Sequence, residues 1–445
     1  MNSAESAALV LVCKERGWIE AADGESADLV LINTCSVRLT AEKRTLGRIA
    51  HYAGLKKKKS KFTLVIAGCM AQRLGEELIK KFPQVDYVMG TSSRLKFPLI
   101  LEAAEKNASN NDDIREKVNL DINERAYTAF AAPFSFSSSH LEEGQFRSFV
   151  PIMHGCNNFC SYCIVPYVRG REVSRDPQSV LDEIRLVGGR GVREVTLLGQ
   201  NVNTYYWEKD SVNFASLLKM IAAEAEKSGV RWIRFLSANP KDFSSDTIDV
   251  MSSNKIFCRH IHLPVQHGSD TVLKAMNRGY TARHFLDLVT RIRAAMQGIT
   301  LSTDILVGFP GETEDDVKTT LDLMEEIKFI YSYMYHFNPR EGTKAFDLPD
   351  RIAEDVKRER LSRVIALQKK HTSALLKARI GSTETVLIEG ISRKNADELI
   401  TRTEKDEMVA VPGSKSMIGS FGRLTLSSLK GNTFRAKELL LCPGD

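Results

Sequence analysis

Three cysteines, Cys156, Cys160 and Cys163, fall within eight residues in HGCNNFCSYCIVPYVRGRE, at the spacing C-x3-C-x2-C. Soft thiolates at this spacing suit either a cubane iron–sulfur cluster or zinc. Zinc sites usually pair C-x2-C knuckles and close with a fourth ligand. No second pair follows here, and only His154 lies nearby. Three thiolates on a four-iron cluster leave one iron open to bind a small molecule and pass it an electron. Two further cysteines, Cys35 in NTCSVR and Cys69 in AGCMAQ, each follow an apolar run. They would stand at the carboxyl ends of strands, the edge where open α/β sheets place their sites. The plainer alternative for this pair is two buried, inert cysteines. Cys13 lies on an apolar stripe with Leu9 and Val12, and Cys258 and Cys442 lack partners, so all three are expected to be packing residues.

The chain that must position these groups has 445 residues, 43% apolar and 27% charged, with net charge +6. That is the ordinary globular mix over two to four domains, and it excludes global disorder. No apolar run approaches the ~20 residues that span a bilayer, and no basic-then-apolar leader opens the chain. A cytoplasmic protein without membrane contact is expected, so structural disulfides are not. Between Arg38 and Lys61 nine basic residues stand against one acid, Glu42. Such a patch can neutralise phosphates, or it can be a solvated helix face.

Residues 1–105 alternate helix and apolar strand: a helix over 3–16, strands at 28–33, 62–67 and 85–89, and helices over 38–54 and 75–82. This predicts an open parallel α/β domain. Such units normally open on a strand, whereas this chain opens on a helix, so a first strand is expected upstream of Met1. Residues 106–141 are polar and Ser-rich and read as a linker. Residues 142–375 carry six strands, at 149–153, 193–199, 231–237, 260–265, 299–309 and 331–337, with helical patterns between. Six units fall short of an eight-unit barrel, so a curved, partial (βα)6 barrel is predicted. A long charged helix follows over 352–379. Residues 376–443 switch to short strands at 383–390, 407–412, 421–428 and 434–441, the pattern of a small β-barrel of OB-like size.

C-x3-C-x-aromatic-C, with Tyr162 as the aromatic, at the top of a partial barrel resembles the radical S-adenosylmethionine (SAM) superfamily. The resemblance narrows with NTCSVR (33–38), AGCMAQ (67–72), SYCIVPYVRGRE (161–172), LLGQNVNTY (197–205), HLPVQHGSD (262–270), VLKAMNRGYT (272–281) and GFPGETEDD (308–316), in that order. Together with the β-rich tail these resemble the methylthiotransferases over nearly the whole chain. The tail, with SRK (392–394) and TRTEKDEMV (401–409), resembles the RNA-binding TRAM domain.

The resemblance implies two [4Fe-4S] clusters. Cys156, Cys160 and Cys163 would hold the one that cleaves SAM, and Cys35 and Cys69 would help hold an auxiliary one that supplies sulfur. It also implies C2 methylthiolation of the N6-isopentenyl-adenosine 3′ of the anticodon in tRNA, with two SAM per turnover. The C–H bond broken is not acidic, so a radical is needed rather than a base. The family normally uses a third auxiliary cysteine in GCQMN near the start. This chain begins MNSAES, which is expected to be that motif cut after its cysteine; the alternative is a labile cluster on two thiolates. Tyr162, Gln200, Asn201 and Gln266 are expected cofactor contacts on the barrel rim. His267 and residues 308–313 stand on the same rim. Arg169 and Arg171 would meet SAM or a phosphate, or form a surface pair. A monomer served by an electron donor such as flavodoxin or ferredoxin is expected.

Other readings keep the chemistry but move it to threonylcarbamoyl-adenosine in tRNA or to a ribosomal protein. LLGQNVNTY resembles the isopentenyl-adenosine branch. A non-enzymatic RNA-binding protein with a structural metal site is the remaining alternative.

Overall fold

The computed structural model describes residues 2–36, 39–58, 62–91, 93–106, 118–119, 144–393 and 395–443. Most of the expected linker, the basic residues Arg38, Lys59 and Lys61, and Lys394 lie outside the described residues. Among the described residues no helix is long and apolar enough to cross a membrane.

The N-terminal part opens on helix α1 (Asn2–Glu15). Strand β1 (Leu29–Thr34) leads to α2 (Leu39–Lys58), β2 (Thr63–Gly68), α3 (Cys69–Leu74), α4 (Glu76–Lys81), β3 (Tyr87–Met89), α5 (Phe97–Glu105) and β4 (Val118–Asn119). The four strands pair in parallel, in the order β1-β2-β3-β4. Leu64, Val65 and Ile66 of β2 are fully buried, because helices cover both faces. One face packs on Ile49, Met70, Leu78 and Val88, the other on Leu9, Phe97 and Leu101. β1 is an edge strand among the described residues and is largely half-buried. Helix α2 runs through Lys56, Lys57 and Lys58, beyond the end expected at residue 54. Helix α3 lies between the strand expected at 62–67 and the helix expected at 75–82 and was not itself expected.

The central part contains the six expected parallel strands: β5 (Arg147–Pro151), β8 (Glu194–Leu198), β11 (Trp232–Phe235), β12 (His260–His262), β13 (Thr300–Val307) and β14 (Tyr331–His336). Two short antiparallel pairs intervene, β6 (Met153–His154) with β7 (Val173–Ser174), and β9 (Tyr206–Trp207) with β10 (Val212–Asn213). The parallel strands form β5-β8-β11 and β12-β13-β14, and an Ile233–Phe257 bridge joins the halves. This is the partial (βα)6 barrel. Helix α6 (Val165–Arg169) follows the cysteine loop, and α7 (Pro177–Gly189), α8 (Phe214–Ser228), α9 (Ser245–Ser253), α10 (Asp270–Ala275), α11 (Ala282–Ala295) and α12 (Glu314–Ile327) cover the outside. Asp176, Asn213, Ser244, Ser269, Thr281 and Thr313 cap α7 to α12 in turn. The core between strands and helices is apolar, with aliphatic Val195, Leu197, Ile233 and Ile305 and aromatic Phe285 almost wholly buried.

The long helix α13 (Glu354–Lys377) leads into a seven-stranded sheet ordered β19-β20-β17-β16-β15-β18-β21. Its strands are β15 (Thr383–Ser392), β16 (Asn395–Thr403), β17 (Met408–Pro412), β18 (Phe421–Thr425), β19 (Ser428–Lys430), β20 (Thr433–Arg435) and β21 (Leu440–Leu441). Strand β16 was not expected. Its first half is polar and exposed, and only Leu399, Thr401 and Thr403 face inward. The expected runs 421–428 and 434–441 each break into two shorter strands.

This sheet docks on the amino-terminal ends of the barrel strands. Arg234 donates to the carbonyls of Thr403 and Glu404, at 3.0 and 2.8 Å, and to Glu194 at 3.0 Å. Arg147 joins Glu194 to Glu389, and Trp232 meets Phe421 edge to face. Cys258 and Cys442 pack in this junction with Trp232 and Phe421.

Candidate metal centres and the barrel rim

The carboxyl end of β5 delivers the chain through β6 into the cysteine loop. Gly155 makes the turn with φ 78°, and a Cβ there would lie 1.9 Å from the Arg171 carbonyl oxygen. The Cys156 N–H donates to Gly170 O, closing the loop on itself. Ser161 ties it to the barrel, its N–H and hydroxyl donating to Met276 O and Ala275 O, while its carbonyl accepts from Ala345 N.

Each sulfur of the trio meets a donor. Asn158 bonds to Cys156, the Val165 N–H to Cys163, and Arg278 Nη1 lies 3.4 Å from Cys160 Sγ. The thiols also feel one another's charge. Burial, reinforced by that repulsion, pushes Cys156 up to about 11 and Cys163 up to about 12. Soft ligands must lose these protons to bind metal, so binding would release them. Among the described residues no three His, Cys, Asp or Glu side chains gather around one point as a single-ion site requires. A closed zinc site needs four such ligands. Three thiols on one loop, each with its own donor, match the three-thiolate donor set of a four-iron cluster with one open iron.

Arg278 is the group sequence reasoning missed, although it lies within the quoted VLKAMNRGYT. It is buried, with Nη2 on Pro264 O at 2.9 Å, Nε on Tyr280 OH at 3.0 Å, and Nη1 3.5 Å from Tyr162 OH. Tyr162 packs among Val272, Met276, Phe309 and Phe337, and burial holds its phenol well above the usual range.

The other expected contacts stand on the same strand-end rim. Gln200 Oε1 accepts the Gly155 N–H at 2.6 Å, so it braces the cysteine loop. Asn201 is buried; its amide donates to Asp242 at 3.2 Å, and its Oδ1 has no partner among the described residues. Gln266 holds φ 71°, fixed by its backbone bridge to Ile305. A buried orphan acceptor beside the loop is what a polar cofactor would satisfy. His267 instead turns inward to Glu312 at 3.1 Å, and Arg360 and the Gly308 N–H complete that buried network. His154 is likewise buried.

In the N-terminal sheet, β1 and β2 run in register with Thr34 opposite Gly68, which sets Cys35 and Cys69 side by side just past the strand ends. Thr34 Oγ1 accepts the Met70 and Ala71 N–H groups and donates to Ala67 O at 2.6 Å. Gly68 has φ 94°, and a Cβ there would lie 2.5 Å from the Thr34 carbonyl oxygen. Burial raises the Cys69 thiol, and Arg169 opposes that rise. Cys13 packs with Leu9 and Trp18 and lines a cavity of about 1080 Å³ along α1 and β1.

This sheet edge faces the barrel. Cys69 packs on Ile164 and Val168 of the segment after Cys163. Thr91 Oγ1 donates to Val168 O at 2.5 Å, and Arg340 reaches Glu42 at 2.9 Å. Arg169, expected at SAM, a phosphate or the surface, is buried between the two parts. Its Nε lies 3.2 Å from Cys69 Sγ, and its Nη1 and Nη2 reach the Glu5 carboxylate at 2.6 and 3.2 Å. Arg171 stacks over Phe159, 4.4 Å from its ring centroid.

The chain matches three family descriptions: the uncharacterized protein family UPF0004 over residues 1–90, the radical SAM superfamily over 150–324, and the TRAM domain over 377–436. A tRNA-2-methylthio-N(6)-dimethylallyladenosine synthase from Treponema denticola is 51% identical, covering 98% of this chain and 97% of its own. The chain belongs to that synthase family. A member from Treponema pallidum is 46% identical over 98% of this chain and 96% of its own. Membership makes the chain a radical SAM enzyme, with a [4Fe-4S] cluster and SAM as cofactors. Among solved structures, the radical SAM methyltransferase TsrM from Kitasatospora setae superposes with TM-score 0.59 at 16% identity, covering 76% of this chain and 70% of that one. That likeness places the synthase-family chain in the fold alone.

Proposed function

We propose that the protein replaces the C2 hydrogen of N6-isopentenyl-adenosine, 3′ of the anticodon in tRNA, with a methylthio group. Two SAM are used per turnover. The observation that carries this reading is the end-to-end 51% identity, together with two groups of cysteines on facing strand-end edges. When bound, a four-iron cluster with one open iron supplies the electron that cleaves SAM. Cys156, Cys160 and Cys163 would hold it, and Arg278 would offset part of the thiolate charge. Asn201 and Gln266 would orient SAM on the rim, and Tyr162 would exclude water beneath it. Cys35 and Cys69 would hold an auxiliary cluster, the source of the inserted sulfur.

Three units divide this work: an N-terminal unit over residues 1–105, the barrel over 142–375 and the TRAM unit over 376–443. Lys43, Arg44, Arg48, Lys57 and Lys58 stand exposed along α2, which supports contact with tRNA phosphates. The target base must leave its stack to reach the rim. The protein works as a cytoplasmic monomer, reduced by a flavodoxin or ferredoxin.

Iron and 5′-deoxyadenosine test the division of labour after anaerobic reconstitution. Replacing Cys156, Cys160 and Cys163 with Ala removes about four irons and abolishes SAM cleavage. Replacing Cys35 and Cys69 removes about four irons, keeps SAM cleavage and abolishes the methylthio product. SAM cleavage surviving the first set would sink the reading.

A further inference from the structure

We propose that Arg169 is a positioning residue for the auxiliary cluster, and that Glu5 and Arg169 together set its reduction potential. The inference rests on the reading that Cys35 and Cys69 hold that cluster. Three observations carry it. The Arg169 guanidinium is buried, it donates through Nε to Cys69 Sγ at 3.2 Å, and Glu5 takes its other two nitrogens. Arg169 also lies six residues beyond Cys163, at the end of α6, and Ile164 and Val168 of the same segment pack on Cys69. One short segment therefore carries a thiol of one cluster and a hydrogen bond to a thiol of the other.

The physical consequences have definite signs. Hydrogen bonds to cluster sulfurs and the net charge around them set the potential. A buried cation beside the Cys69 thiolate favours the reduced, more negative cluster and so raises the potential. Glu5 opposes this, because its carboxylate cancels part of the charge while fixing the direction of the fork. Removing the arginine must lower the potential, and neutralising the carboxylate must raise it. A lysine keeps the charge but not the fork, so it restores only part of the effect.

The test uses the full chain with Cys156, Cys160 and Cys163 replaced by Ala, reconstituted anaerobically with iron and sulfide. The midpoint potential is then read by spectroelectrochemistry. R169M is expected to shift it down, E5Q up, and R169K to fall between wild type and R169M. Potentials that stay put, or that move the same way in R169M and E5Q, overturn the inference. A parent protein that takes up no iron overturns the reading that Cys35 and Cys69 hold a cluster in this chain, which separates the two failures. E5Q is nearly isosteric and keeps a hydrogen-bonding oxygen opposite Arg169, so its upward shift decides the matter if R169M does not fold.

Discussion

Arg278 and Cys160, 118 residues apart in the chain, meet with the guanidinium 3.4 Å from the sulfur. The arginine also holds the Pro264 carbonyl and Tyr280, so its position is fixed from several sides. Groups that hydrogen-bond metal ligands are worth roughly 10- to 100-fold in affinity or activity. R278M is therefore expected to lower iron retention and 5′-deoxyadenosine formation by at least about tenfold. R278K should rescue poorly, because a point charge cannot serve Cys160, Pro264 and Tyr280 at once. Full iron content and unchanged SAM cleavage in R278M would remove Arg278 from the site.

Asn201 and Gln266 project from two different strand ends of the barrel. Asn201 Oδ1 is a buried acceptor without a partner among the described residues. A ligand that satisfies it gains about one hydrogen bond, or roughly tenfold in affinity. N201A and Q266A are each expected to weaken SAM binding by about that factor without loss of iron. Unchanged SAM affinity, read by equilibrium dialysis, would assign both side chains to loop structure.

The exposed face of α2 offers a test of RNA contact. Lys43, Arg44, Arg48, Lys57 and Lys58 form no ion pair among the described residues, whereas Lys56 is taken by Asp86 and Glu42 is buried under Arg73 and Arg340. Changing Lys43, Arg44 and Arg48 to Glu should weaken tRNA binding. The slope of log affinity against log salt should also shrink by roughly 0.7–0.9 per lost phosphate contact. A slope that does not move would make this face a solvated one.

The barrel–TRAM junction should respond to pH through His260. Burial drops its pKa from 6.5 to about 4, Asp406 opposes the drop, and Arg234, His262 and Arg402 reinforce it. The ring sits between Thr300 and Ser302, at 2.8 and 3.0 Å. The unfolded chain binds the proton more readily than the folded one. Stability is thus complete above pH 6.5 and falls toward pH 4, by at most about 1.4 kcal/mol per pH unit. H260N should flatten that part of the curve in urea titrations. An identical slope in H260N would show that the loss belongs to other groups.

The barrel was legible because buried parallel strands are nearly continuous apolar runs, as in REVTLLG around β8 and ITLSTDILVGF around β13. Strand β16 was not, because one face of an antiparallel sheet can stay wet and NADEL reads as loop. The cysteines announced themselves by type and spacing. Arg278 and Arg169 did not, since burial of an arginine depends on what packs over it from distant sequence. Gln200 shows the same limit: its place on the rim could be inferred, but not its bond to Gly155.

The docking of the C-terminal sheet fixes a length. It sits on the amino-terminal ends of strands whose opposite ends carry the thiols, with Thr300 near Lys405 at one end of β13 and Val307 at the other. Eight extended residues span roughly 26 Å. On the proposed function, an RNA held by that sheet while one of its bases reaches the rim would have to follow the flank of the barrel over this distance. Substrate choice would then become partly a matter of measurement, in which a correct sequence at the wrong separation would fail to engage both ends.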